Sequence, residues 1–358
     1  MKKIWWRFGA LVLAAILLAG FFAGVVWMAG TRVTAYVNAA AEMVGGTSAR
    51  AMCTMDVATG RVLFSHNADQ PMGMASTTKV VTALTVLENC TDLDTKIRVA
   101  DAAIGIEGSS IYLQKGEQLT VRELLYGLML RSGNDAAVAL ALAVAPSVAE
   151  FAEMMNQTAA KYGATKTHFV NPHGLDDPEH YTTARDLALL SAVALRNPTF
   201  VEICSATEKR IDGVDMPRVL INKNKLLKSL DGCIGVKTGY TKKTGRSFVG
   251  AREVDGQKIV CVVLNCGPMF PETAQLLKDA DAVYHNKPVL TAEEIFTDKN
   301  GLKGLALEDF CYPLSAAELD NLDITMVDNT VLVKLKGETI YHGACVNLGD
   351  GTPGANVR

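Results

Sequence analysis

Apolar and polar positions alternate from Arg50 to Asp56 and again from Arg61 to Ser65, on either side of Ala58-Thr59-Gly60. Period-two alternation around a turn-prone triplet predicts a β-hairpin. The spacing then changes to that of a helix: in STTKVVTALTVLENC a cap-type Ser76 precedes apolar residues three and four apart, to about Asn89. The run QLTVRELLYGLMLRSGNDAAVALALAVA keeps that period on both sides of Ser132-Gly133-Asn134, which predicts two helices joined by a short break. Thr120 and Glu123 carry the capping-box spacing ahead of the first, and Thr183 stands three ahead of Asp186 before a further helix, ARDLALLSAVAL. CIGVKTG, GRSFVGAREV and QKIVCVVLNC read as three strands, ETAQLLKDADAVY as a helix, and ITMVDNTVLVKLKG as a late hairpin.

Helices lying between an early hairpin and late strands predict an α/β (α+β) fold, with a mixed sheet built from both chain ends and a helical block packed against it. A boundary near Asn286-Lys287-Pro288 divides a main domain, 40–285, from a small β-rich C-terminal module, 286–358, and no internal repeat stands out.

The first 39 residues change the picture. Lys2, Lys3 and Arg7 precede an almost unbroken apolar run from Phe8 to Gly30, the pattern of an export signal. The run is long enough for a membrane anchor, which needs about 20 residues. Val37 and Ala39 equally supply the small residues of a signal-peptidase site. In both cases the remainder is delivered outside the cytoplasmic membrane, either secreted or held on its outer face.

A formal net charge of -3, with scattered Lys and Arg, excludes the basic footprint of a nucleic-acid binder. The eight cysteines are widely spread, and a 358-residue chain can build a core without disulfides, so buried thiols are expected. Six dispersed histidines and the lack of any metal-ligand spacing predict no metal and no cofactor.

The chemistry resides in three short elements. A serine hydroxyl is hardly ionised at neutral pH and needs a base before it attacks an amide. Ser76 and Lys79, three apart, share one face of a helix, so the amine reaches the hydroxyl. Alone, this pair reads first as a helix cap beside a solvated lysine. Lysine acts as a base only if burial and a neighbouring cation lower its pKa, and Lys237 would be that cation. Ser132, on the break between helices, would relay a proton to the leaving amine, and the Asn134 side chain would bind the substrate amide. Lys237-Thr238-Gly239 on a strand offers charge and a hydroxyl to a carboxylate, while Gly239 lets an extended peptide lie at the sheet edge. The backbone amides of Ser76 and Tyr240 would form the oxyanion site.

STTK, SGNDAA, NPHGLDD, TARD and VKTGYTKKTGRS, in this order, resemble the D-alanyl-D-alanine carboxypeptidases, the low-molecular-mass penicillin-binding proteins. The resemblance covers roughly Arg50 to Ala282. It implies a serine β-lactamase-like fold and removal of the terminal D-alanine from peptidoglycan stem peptides through an acyl-serine, with covalent binding of β-lactam antibiotics. By matching positions it implies Ser76 as nucleophile, Lys79 as base, Ser132 as relay, Asn134 as amide binder, and Lys237 with Thr238 as the carboxylate site. His173 in NPHGL is read as a packed loop residue, and Arg246 as either a carboxylate contact or a strand-surface residue.

Relatives commonly carry a larger second domain and a C-terminal amphipathic helix, whereas the polar tail NLGDGTPGANVR has no amphipathic run. Membrane attachment would therefore come from the N-terminal segment. Two other readings compete. A β-lactamase would need a deacylating glutamate, for which Glu179 is the sole candidate between Lys161 and Arg185. A non-hydrolytic penicillin receptor would need a signalling domain, and about seven residues precede the apolar run.

Overall fold

The computed structural model describes residues 46–212 and 217–349. The segment 1–39 read as an export signal or anchor, and the tail from residue 350 onward, lie outside the described residues.

The hairpin forms as its alternation predicts: β1 (Ala51–Asp56) pairs antiparallel with β2 (Val62–His66). Asp56 closes the turn, its Oδ1 accepting from the Thr59 amide and hydroxyl at 2.8 and 2.7 Å. A 3-10 turn, Ala75–Thr78, then feeds α1 (Lys79–Asn89). The short pair β3 (Lys96–Arg98) and β4 (Gln118–Thr120) leads into α2 (Val121–Tyr126), where Thr120 and Glu123 make the expected capping box. α2 unwinds through a wide turn at Gly127–Arg131, and α3 (Asn134–Val144) begins after Ser132-Gly133. α4 (Val148–Lys161), α5 (Ala184–Leu195) and α6 (Pro198–Ser205) complete the helical block. Thr183 caps α5 by accepting from the Asp186 amide.

The pair β5 (Glu208–Asp212) and β6 (Pro217–Ile221) and the single turn α7 (Leu226–Ser229) precede the three late strands β7 (Cys233–Thr241), β8 (Gly245–Val254) and β9 (Gln257–Leu264). The main sheet has the order β2-β1-β9-β8-β7, so both chain ends contribute, as expected. It is not a mixed sheet: every pairing is antiparallel. Short turns fix the direction of the β1–β2, β7–β8 and β8–β9 pairs, because a parallel neighbour requires a long crossover, and β1 joins β9 antiparallel across the chain ends.

Both faces of this sheet are covered. Ala51, Cys53 and Met55 of β1 face the helical block, whereas Met52 faces the opposite cluster with Phe248 and with Leu277 and Ala280 of α8 (Met269–Val283). β1 is thus buried along its whole length, although its pattern reads as half-buried.

The C-terminal residues form β10 (His285–Leu290), β11 (Ile295–Thr297), β12 (Lys303–Ala306), β13 (Phe310–Leu314), the turn α9 (Ala316–Leu319), β14 (Leu322–Val327), β15 (Thr330–Leu335) and β16 (Glu338–Gly349). A five-stranded sheet, β11-β12-β16-β15-β14, packs its own apolar cluster around Tyr312, Val333 and Leu335. The predicted late hairpin is β14–β15. Arg61, fully buried at the start of β2, reaches across to this module. It donates to the Pro313 carbonyl, pairs with Glu318 at 2.7 Å, and lies over the rings of Tyr284 and Tyr312.

Candidate active site

The turn carrying Ser76 is held by its own threonines. Thr77 Oγ1 donates to the Met74 carbonyl at 2.6 Å and Thr78 Oγ1 to the Ala75 carbonyl at 2.8 Å. His180 Nδ1 accepts from the Val170 amide, so in the neutral ring Nε2 carries the proton and donates to Thr78 Oγ1 at 2.8 Å. Burial holds the His180 pKa down at about 4. Ala75 itself sits at φ +51°, in the left-handed region a side chain rarely adopts. Gly174, from the NPHGL segment, closes over this turn: a Cβ there would lie 2.0 Å from the Ala75 carbonyl oxygen.

Lys79, one turn beyond Ser76, is fully buried. Its Nζ lies 3.0 Å from Ser76 Oγ, 2.7 Å from Asn134 Oδ1 and 2.5 Å from the His173 carbonyl. Burial, and next the charge of Lys237, push its pKa well below the ordinary lysine value. Lys237 is buried too, donates to the Thr238 carbonyl at 2.9 Å, and is lowered to about 7 by burial and then by Lys223. Both amines thus have lowered pKa values, and Lys79 is the one in contact with the serine hydroxyl.

β7 is one of the two edge strands of the main sheet and passes directly beside the Ser76 turn. A Cβ on Gly239 would stand 3.0 Å from the Met74 carbonyl oxygen, 3.1 Å from the Thr77 nitrogen and 3.2 Å from the Ser76 nitrogen. The glycine therefore permits contact between strand and catalytic turn, a tighter reason than the approach of a peptide that the sequence suggested. Tyr240 follows it, 63% exposed at the cleft mouth.

Asn134 is buried at the start of α3, its Nδ2 donating to the Glu107 carbonyl at 2.5 Å. Ser132, also buried, adopts φ +63°, and among the described residues its hydroxyl has no hydrogen-bond partner. It is therefore not bonded to Lys79. A cleft of about 310 Å³ joins Ser76, Ser109, Asn134, His173, Leu175, Tyr240 and Thr241.

Several residues at this site carry no recognisable motif signal of their own. Asp135, buried beside Asn134, accepts from the Ile111 and Leu113 amides at 3.1 Å and so fixes the loop that forms one cleft wall. Lys223 donates to Ser109 Oγ at 2.9 Å, tying that wall to the strand side. The His173 ring accepts from the Leu175 amide at 3.2 Å within its own loop, and its pKa is lowered to about 4 by burial. Arg246 is exposed and donates to the Gly267 carbonyl at 3.4 Å. Glu179 is exposed and does not line the cleft.

A serine-lysine pair at a helix start, a polar break between helices and an edge strand carrying Lys-Thr-Gly near its end thus come together on this fold. The peptidase S11 family, described as D-alanyl-D-alanine carboxypeptidase, matches residues 37–267, and the chain belongs to it. It is 32% identical over 231 residues to D-alanyl-D-alanine carboxypeptidase DacF of Bacillus subtilis, covering 63% of this chain and 59% of that one. It is 35% identical over 232 residues to DacB2 of Mycobacterium tuberculosis, covering 63% and 79%. The match thus spans about three-fifths of the length of the Bacillus protein. Among solved structures, the D-alanyl-D-alanine carboxypeptidase DacD from Francisella tularensis superposes with a TM-score of 0.71 at 25% identity, over 87% of this chain and 94% of that one.

Proposed function

We propose that this chain is a serine-type D-Ala-D-Ala carboxypeptidase of the bacterial cell envelope, cleaving the terminal D-alanine from peptidoglycan stem pentapeptides and binding β-lactams covalently. The observation that carries this reading is the buried Lys79 amine, 3.0 Å from Ser76 Oγ and with a lowered pKa. In this mechanism neutral Lys79 accepts the Ser76 proton as Oγ attacks the penultimate D-alanine carbonyl. The backbone amides of Ser76 and Tyr240 receive the oxyanion. The C–N bond breaks and Ser132, whose hydroxyl has no partner among the described residues, passes the proton from Lys79 to the departing amine. Lys237 and Thr238 hold the terminal carboxylate, and Asn134 exchanges a present partner for the substrate amide. Water then attacks the ester carbonyl, giving its proton to Lys79; the C–Oγ bond breaks, Lys79 returns that proton to Ser76 Oγ, and the free acid leaves.

Action on wall peptide requires export, for which residues 1–39 serve as signal or membrane anchor, with 40–285 as the catalytic domain and 286–358 as an accessory module. The β-lactamase alternative lacks support, because Glu179 stands away from the cleft. Purified protein incubated with defined pentapeptide and analysed by mass should lose one D-alanine per peptide. Capture of penicillin with no D-alanine release would instead favour a receptor.

A further inference from the structure

Beyond the catalytic cleft lies a second cavity, of about 360 Å³, across a hydrogen-bonded seam. The seam is Asp176 Oδ1, which accepts from the Thr241 and Thr244 hydroxyls at 3.0 and 2.9 Å. Thr241 and Leu175 line the catalytic cleft, while the neighbouring Lys243, Thr244 and Asp176 line this second cavity. Its wall also holds Arg50, Asp177 and Asn265. Two basic and two acidic residues therefore line one space. Arg50 and Lys243 make no salt bridge with the two aspartates, or with any other carboxylate among the described residues. Opposite charges held apart around a cavity suit a ligand bearing both signs.

The direction of the substrate leads there. With its terminal carboxylate at Lys237-Thr238 and its scissile carbonyl at Ser76 beside Gly239, an extended peptide antiparallel to β7 runs upstream past Tyr240 and Thr241. At about 3.4 Å per residue, the residue preceding the two D-alanines falls near Thr241. A side chain of several carbons from that point reaches the β7–β8 turn, where Lys243 stands.

Resting on the carboxypeptidase reading, we propose that this cavity is the subsite for the third stem residue and selects a side chain ending in both an ammonium and a carboxylate, as in meso-diaminopimelate, over one ending in an ammonium alone, as in lysine. Asp176 and Asp177 receive the ammonium, and Arg50 and Lys243 the carboxylate.

The test compares kcat/KM for D-alanine release from three pentapeptides: lysine at position three, diaminopimelate, and diaminopimelate with its side-chain carboxyl amidated. The diaminopimelate peptide should be preferred over the lysine peptide by about tenfold or more, the worth of one or two charge-assisted contacts. The amidated peptide should fall to the lysine level, which separates this carboxylate from others on the stem. In an Arg50→Gln, Lys243→Gln double variant that still acylates with penicillin, the preference ratio should collapse toward one. Equal turnover of all three peptides by the unaltered protein, or a ratio untouched by the double variant, overturns the subsite. Failure to release D-alanine from any of them overturns the carboxypeptidase reading instead.

Discussion

Replacing Gly239 by alanine tests the contact on which the catalytic geometry depends. The added methyl would lie 3.0, 3.1 and 3.2 Å from Met74 O, Thr77 N and Ser76 N, all main-chain atoms. No rotamer can relieve the overlap, because the turn is pinned by the Thr77–Met74 and Thr78–Ala75 hydrogen bonds. Strand and turn must part by about 0.4 Å to restore ordinary van der Waals separation. Overpacking of this kind costs about 1–3 kcal/mol, and each kcal/mol lowers Tm by about 2–4 °C in a domain of this size. A 1 Å misplacement of reacting groups costs about 100-fold in rate, so a shift near 0.4 Å should slow acylation about five- to tenfold. The assay is the second-order rate of labelling by a fluorescent penicillin, read beside the melting curve and the far-ultraviolet circular dichroism. A Gly239→Ala protein that labels at the parental rate and melts within a degree of the parent refutes the reasoning.

Three further outcomes follow from the same structure. Lys237, lowered to about 7 by burial and by Lys223, must be charged to hold a carboxylate, so kcat/KM for a free-acid peptide should fall as pH rises above neutrality. Lys223→Ala removes a repelling cation and should move that alkaline limb upward, whereas an unmoved limb would exclude Lys237 as its origin. His180 has a folded pKa near 4 against 6.5 unfolded, so the unfolded chain binds the proton more tightly. Stability from this group is complete above pH 6.5 and lost as pH falls toward 4, by up to about 3 kcal/mol. A His180→Gln variant should show a shallower acid loss in thermal melts, and parallel curves would contradict the assignment. Arg61→Ala removes the buried partner of Glu318, leaving it Lys336 at 3.4 Å and the Ser315 amide, and should cost about 2–4 kcal/mol in urea unfolding, while a change within 1 kcal/mol would show that the pair does not join the two parts of the fold.

What the sequence discloses and what it hides follow the range of the forces involved. The Thr120–Glu123 capping box, the Thr183 cap and the Asp56–Gly60 turn are set by residues within a few positions of each other, and each forms where local spacing placed it. Sheet direction is different. Alternation identifies strands without orienting them; short turns orient β1–β2, β7–β8 and β8–β9, whereas the direction of β1 against β9 has no local signal. β1 hides its second buried face because Met52 and Thr54 meet partners more than 200 residues away. At the site, Ser76, Lys79, Asn134 and Lys237 were legible as motifs, and the structure gathers them around one cleft or its adjacent amines. Lys223, Asp135 and His180 were not, since nothing in their local pattern separates a surface charge from one folded against Ser109, the Ile111 amide or Thr78.

The central claim is that the amine of Lys79 activates Ser76 for acylation. Peptide mapping by mass spectrometry of the penicillin adduct tests it most directly, in the parent and in Lys79→Ala. The account predicts an ester on Ser76 alone in the parent, formed at least a thousandfold more slowly in the variant, since base and nucleophile act as a unit. An adduct on another residue, or undiminished acylation without the Lys79 amine, would contradict it.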